Sequence, residues 1–387
     1  MSTIIFTRYL YIKDIVELSL LVSILYRHSD AIFWAYELYY SGFKKELFEF
    51  IWKIYYDFFA TLNPSFEAYL LTKYDEFLNN DCLVSSIIFD LIYRPYNTDI
   101  FFMRIICNSF EVDVTYYNNI NITNIEDARL NFKNWIETND YRSIGQWIIN
   151  LNQNIIDVID VYKLCLDIFE LTKPKLIKDF TAILKTNNID KNIILLSRIM
   201  QLFSKKHNLK KGKSVYVTVE PEQVEKYKTI YVSDTLKHYR ILEKACKCSI
   251  DSLKHLSLFK LNINKYNYNK NDLKTNSLSD FSKHLFSNWE YYASFSPLWN
   301  QRINYFNGII DHNIKRVIFE DDDLMEEFYR SYGYEPDEQS KTVQDKSIMT
   351  IEKVHNWKWF HDKYKNNGLF EVWEEELEEF DIDLIKY

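Results

Sequence analysis

Several clusters in this sequence carry residue types that could do chemistry. Cys246 and Cys248, with His238 and His255 close by, offer thiolate and imidazole donors of the kind zinc takes. A single residue separates the two cysteines, whereas structural zinc sites typically place about two to four there, and no second pair follows. The spacing reads as adventitious, so no metal or cofactor is assigned. Glu320, Asp321, Asp322 and Asp323, with Glu326 and Glu327, could hold a divalent cation for phosphoryl chemistry, which would make the chain a metal-dependent nucleic-acid enzyme. The same run reads more simply as an exposed loop and the first turn of a helix, where acids suit the dipole. Lys205, Lys206, Lys210, Lys211 and Lys213 surround Gly212, and Tyr216, Tyr227, Tyr231 and Tyr239 follow. Phosphate contacts from lysine combined with stacking on tyrosine suit single-stranded RNA.

Other chemistries are excluded by what the chain lacks. Six glycines supply neither a GxxxxGK[ST] nor a GxGxxG loop, so the nucleotide-binding enzymes built on those motifs are out. None of the eight histidines sits in an HExxH motif or beside a serine or cysteine signature. The expectation is a protein without a catalytic site and without a small-molecule substrate.

The elements that position these residues are legible from periodicity. Between Lys44 and Leu62 the apolar residues Leu47, Phe48, Ile51, Ile54, Tyr55, Phe58, Phe59 and Leu62 recur at helical spacing. The pattern returns at Leu83 to Ile92, at Ile155 to Phe169 and at Ile193 to Phe203. Breaks fall at Ser29-Asp30, Gly42, Asn63-Pro64-Ser65, Asn79-Asn80-Asp81, Pro95, Asn139-Asp140 and Pro174, which gives about ten helices before residue 205. Gly and Pro number only 6 each in 387 residues, which disfavours a turn-dense all-β fold. The fold class is therefore mainly α, with antiparallel helix pairs in a HEAT-like solenoid or a bundle. The solenoid is preferred because the helix near Ile15 to Tyr26 is apolar almost all round.

Past Phe203 the texture changes, dividing the chain into 1–205, helical; 206–276, basic; and 277–387, aromatic and acidic. Residues 214–220 alternate as a short strand would, residues 234–248 read as a helix, and residues 262–276 read as an Asn/Lys-rich linker. Residues 308–319 suit a small hairpin about Asp311-His312-Asn313, and Thr350 to Tyr387 suits helix. Charge follows the same division. Residues 318–387 hold 20 acids against 8 Lys/Arg, whereas residues 201–275 hold 16 Lys/Arg against 7 acids. A basic middle and an acidic end can face nucleic acid and a basic protein respectively, or act as ordinary solvated faces.

With 9 Trp, 30 Tyr and 27 Phe, aromatic residues are candidates for partner anchors, because such side chains dominate interface hot spots. Trp34, Tyr36, Trp289, Trp299 and Trp373 are the positions singled out, against the competing account that large aromatics fill a helical core. Five cysteines in no even framework imply free thiols and a reducing compartment. The longest apolar stretch of the N-terminus is shorter than the roughly 20 residues that span a bilayer, so a soluble intracellular chain with no membrane partner is expected.

The segments ELSLLVSILYRHSDAIFWAYELYYSGF (17–43), ELFEFIWKIYYDFFATLNPSFEAYLL (46–71) and VIFEDDDLMEEFYRSYGYEPDEQSK (317–341) resemble an uncharacterised protein family of giant nucleocytoplasmic DNA viruses. That resemblance implies a location in the viral factory of the host cytoplasm and supplies no catalytic motif. At the level of architecture the helical half is similar to the HEAT-repeat middle domain of the translation initiation factor four-G scaffold, which holds a DEAD-box helicase and a cap-binding protein. Under that likeness the Tyr-x4-Leu element Tyr231 to Leu236 would meet the cap-binding protein, and the chain would be a non-enzymatic scaffold on viral mRNA. A structural or factory-assembly protein with no nucleic-acid role is the alternative.

Overall fold

A computed structural model describes residues 5–11, 13–109, 122, 124–186, 189–209, 211–212, 215–228 and 287–332. The chain is mainly helical, as its periodicity requires. The described helices are α1 (Lys13–Leu25), α2 (Asp30–Tyr40), α3 (Lys44–Ile54), α4 (Pro64–Asn79), α5 (Cys82–Tyr93), α6 (Asp99–Ser109), α7 (Ile125–Thr138) and α8 (Tyr141–Ile149). They continue as α9 (Val158–Ile168), α10 (Pro174–Thr186), α11 (Lys191–Lys206), α12 (Pro221–Lys228), α13 (Trp289–Ala293), α14 (Pro297–Tyr305) and α15 (Asp322–Tyr332). A hairpin of β1 (Gly308–Asp311) and β2 (Arg316–Phe319) precedes α15, in the antiparallel register Gly308↔Phe319 to Asp311↔Arg316. None of the described helices is long and apolar enough to cross a membrane.

Local chemistry sets the boundaries. The side chains of Asn124, Asp140, Asp157, Asp190 and Ser296 accept hydrogen bonds from the first free amides of α7, α8, α9, α11 and α14. Pro64 and Pro297 open α4 and α14, where a missing amide proton does no harm. The periodic run from Ile155 overshoots by three residues, because Asp157 caps the helix and leaves Ile155 outside it and exposed. Residues Tyr55–Phe59 extend α3 as a π-helical turn with every side chain buried, which a periodicity of 3.6 does not reveal. Residues 215–220 carry no regular secondary structure and form no ladder with any described strand. The regions 234–248, 262–276 and 350–387 lie outside the described residues.

One hydrophobic core runs from Tyr11 to Val224. Helix α1 is covered by α2, α3 and α5, which accounts for its apolar circumference. Helix α11 reaches back to α6, α8, α9 and the π-turn, so packing extends well beyond neighbours in sequence. The contacts with α8 and α9 are those that neighbouring helix pairs make, while those with α6 and the π-turn reach further along the chain and suit a bundle.

Residues 287–332 build a second small cluster of Trp289, Trp299, Phe306, Phe319, Phe328 and Tyr332 rings. It is joined to the N-terminal part of the chain by Trp299 Nε1, which donates to the Thr7 carbonyl ahead of α1 at 3.0 Å, and by Leu298 N, which donates to the Ser41 carbonyl just past α2 at 3.2 Å. The joint closes over Gly42, whose φ of +95° is open to glycine, and a Cβ there would meet Pro297 Cβ at 2.6 Å.

Candidate functional site

The basic cluster sits at the end of α11. Its last turn brings Lys205 and Lys206 to the surface, both exposed, and cations suit that end of the dipole. Lys206 Nζ donates to the Ile136 carbonyl at 3.1 Å, tying α11 to α7, and His207 Nε2 lies 2.6 Å from the Tyr141 hydroxyl. Asn208 turns the chain with φ 52°, Lys211 is exposed, and Gly212 N donates to the Leu62 carbonyl at 3.0 Å. Lys210 and Lys213 lie outside the described residues. Gly212 packs so tightly on Asn63 and Pro95 that an added Cβ would approach the Asn63 side chain to 2.0 Å.

From there residues 215–220 cross α4 and α5. Val219 enters the core, while Tyr216 stays half exposed, 4.7 Å from the Tyr69 ring. The Arg94 guanidinium lies 4.1 Å from the Phe66 ring centre and 5.1 Å from that of Tyr216. Beneath them the Asp90 carboxylate is fully buried and accepts from Val217 N at 2.8 Å. Burial pushes the Asp90 carboxyl up to about 6, against the lowering pull of the Val217 amide and Arg94. Burial likewise raises the Tyr69 phenol to about 12, and the Asp90 charge adds to it. The path continues into α12, where the Tyr227 carbonyl accepts from Arg8 Nη1 at 2.8 Å and the Tyr227 ring stacks on Tyr36 at 4.7 Å.

The aromatic residues expected to face partners face inward instead. Trp34 is buried with its ring against Tyr11 and Phe33. Tyr36 is buried with its hydroxyl donating to the Asp81 carbonyl at 2.9 Å. Trp289 and Trp299 form an edge-on pair inside the second cluster. All four are anchors within the chain, because a fold this rich in aromatics fills its core with them. Tyr231, Leu236 and Trp373 lie outside the described residues, as do Cys246, Cys248, His238 and His255.

The acids at 320–323 take the helix-head role. Asp322 and Asp323 form the first turn of α15, and Asp321 Oδ1 accepts from Asp323 N at 2.8 Å. Among the described residues no three His, Cys, Asp or Glu side chains converge as a metal site needs. Cys165 is buried and burial pushes its thiol up, as befits a small hydrophobe.

Periodicity also passes over the charges inside apolar stripes. Asp57 of the π-turn pairs with Arg104 through two bonds, 3.0 and 2.6 Å, at the edge of a cleft of about 380 Å³ that Phe50, Phe101 and Ile193 help to line. Glu67 is buried between the Tyr56 hydroxyl, at 2.9 Å, and Arg198 of α11, and burial raises its pKa. Arg8 Nε donates to Glu37 at 2.9 Å, joining the N-terminal segment to α2. For Asp57, Glu67 and Glu37 a charge on an otherwise apolar helix face was the available signal. Compared with known proteins, the chain matches no family model, no curated protein and no solved structure.

Proposed function

We propose that the chain is a non-enzymatic helical scaffold of a viral gene-expression complex, a hub of the initiation-factor-four-G kind that joins a DEAD-box helicase and a cap-binding protein on viral mRNA in the host cytoplasm. The observation that carries the reading is the exposed basic edge of Lys205, Lys206 and Lys211, continuous through Gly212 with the Arg94–Tyr216 stack. Cations beside a half-exposed ring suit a single strand, with phosphates on the lysines and a base on the tyrosine. The ion pairs support it by fixing elements remote in sequence, the N-terminal segment to α2, the π-turn to α6 and α4 to α11, into one body against which partners can be held. In this reading the acidic, aromatic segment with Trp373 docks the second protein.

Titration of an unstructured RNA oligonucleotide with the full chain tests it. Replacing Lys205, Lys206, Lys210, Lys211 and Lys213 by Glu is expected to weaken binding more than tenfold, and each lost phosphate contact lowers the slope of log K against log salt by about 0.7. Equal binding by the variant and the parent chain would overturn the reading.

A further inference from the structure

We propose that the outer face of the β1–β2 hairpin is a docking surface for a short basic protein segment with apolar side chains. Strands packed on one side alternate apolar and polar residues, whereas a continuous apolar run fits a strand covered on both sides. This hairpin is of the second kind, with Ile309 and Ile310 in β1 and Val317, Ile318 and Phe319 in β2. The described chain covers one side of it. Gly308 packs against Ile303 of α14, which an added Cβ would meet at 2.6 Å, and the Phe319 ring lies 5.1 Å from that of Phe328 in α15. By alternation Ile310 and Val317, paired with each other, share that side and are half-buried. Ile309 and Ile318 are the pair between these two, so they face the other way, and they are 53% and 45% exposed. Ile314 in the turn is 51% exposed. Single exposed apolar residues are ordinary, but two set directly opposite each other make one surface.

The charges around this face define what can cover it. Just past β2 come Glu320, Asp321, Asp322, Asp323, Glu326 and Glu327, all exposed. None of the six forms an ion pair with a described residue. The exposed cations Lys315 and Arg316 stand at the opposite, turn end of the isoleucine pair. Nucleic acid is repelled by such a surface, and a second copy of the chain would bring its own acids and leave most of them uncompensated. A segment that carries Lys or Arg among apolar residues satisfies both features. Its apolar side chains cover Ile309 and Ile318, and its cations reach the acids that follow Phe319. Three isoleucines fall well short of the roughly 800 Å² per partner of a stable protein–protein interface, so the occupant is short and the complex exchangeable. As the place where a scaffold holds its second protein the face rests on the reading above; as a binding surface it stands alone.

Titration of a fluorescent heptapeptide of alternating Lys and Val with the full chain tests it, with a peptide of alternating Lys and Ser as the control. The Lys/Val peptide is expected to bind, less tightly as salt is raised, and the Lys/Ser peptide to bind about tenfold more weakly. Ile309→Thr with Ile318→Thr should weaken binding of the Lys/Val peptide by a similar factor of about ten. Threonine keeps the branched Cβ that suits a strand, and the Lys/Ser comparison needs no variant at all. Glu326→Gln with Glu327→Gln should weaken binding severalfold and flatten its salt dependence. No binding, equal binding of the two peptides, or equal binding by parent and isoleucine variant would overturn the proposal. So would a dimer of the parent chain in sedimentation that the isoleucine variant lacks, because the face would then belong to a second copy. RNA titration with the isoleucine variant separates this surface from the basic edge: unchanged RNA binding is expected, and its loss would place RNA on this face and overturn the proposal.

Discussion

Two buried acids, Glu67 of α4 and Asp90 of α5, are handled in opposite ways. Glu67 is closed on both oxygens, by the Tyr56 hydroxyl of the π-turn and by Arg198 of α11, 131 residues away in sequence. Asp90 is open: it has one amide of the 215–220 segment and an arginine slightly out of reach, and an oxygen and a nitrogen are left over. Burial raises the pKa of both, so neither charge sits there easily. The difference lies in what each joins. Glu67 clamps α4 to α11, two elements of the permanent core, while Asp90 holds a segment with almost no other bonds. A completed network fixes geometry, and an incomplete one leaves a place where the molecule can yield.

The largest expected effect breaks the closed network. Glu67→Ala leaves Arg198 buried and unpaired and should destabilise the chain by about 3 to 5 kcal/mol, read by denaturant unfolding. Equal stability of variant and parent would mean that the clamp is ornamental. Asp90 should show itself through pH. Its folded pKa of about 6 exceeds the ordinary 3.8, so the folded state takes up the proton first, and stability from this group is gained as pH falls. Relative to Asp90→Asn, the wild-type chain should gain up to about 3 kcal/mol between pH 8 and pH 4. A gain toward high pH would reverse the comparison.

Gly42→Ala tests a joint that owes nothing to charge. The positive φ and the contact with Pro297 should cost about 1 to 3 kcal/mol, with no change in pH dependence, read as a fall in Tm. Smallest of all, Lys205→Glu with Lys211→Glu lies on exposed surface and should move stability by less than about 0.5 kcal/mol. Any loss of RNA binding in that variant is then a loss of contact and not of fold.

Much of the helical frame was legible in the sequence. The spacing of Leu83 to Ile92 and of Ile193 to Phe203 corresponds to α5 and α11, and the breaks at Asn63-Pro64, Asn139-Asp140 and Pro174 are helix ends in the structure. Local capping and 3.6 periodicity are properties of neighbouring residues, so they can be read without the fold. The hairpin was legible for the same reason, from two short apolar runs about Asp311-His312-Asn313. The nesting of α11 against α6 and the π-turn was not, because it depends on contacts between remote elements. Nor was the fate of Trp34, Tyr36, Trp289 and Trp299: an aromatic residue in an apolar run looks the same whether its neighbour is another chain or its own. The alternation of Val215, Val217 and Val219 suggested a strand, but a strand needs a partner edge, and Asp90 supplies one hydrogen bond in place of a ladder. Asp90 itself was visible as a lone acid among Phe89, Leu91 and Ile92, a charge that only burial makes meaningful.

The scaffold reading stands or falls on what the chain holds in the cell. Affinity purification of the tagged full-length chain from infected cells, with and without ribonuclease, followed by mass spectrometry, tests it most directly. The expected result is retention of a helicase and a cap-binding protein through ribonuclease treatment, with RNA recovered only when the nuclease is omitted. Recovery of capsid or membrane-assembly proteins with no RNA-linked factor would contradict it and make the chain a structural component of the particle.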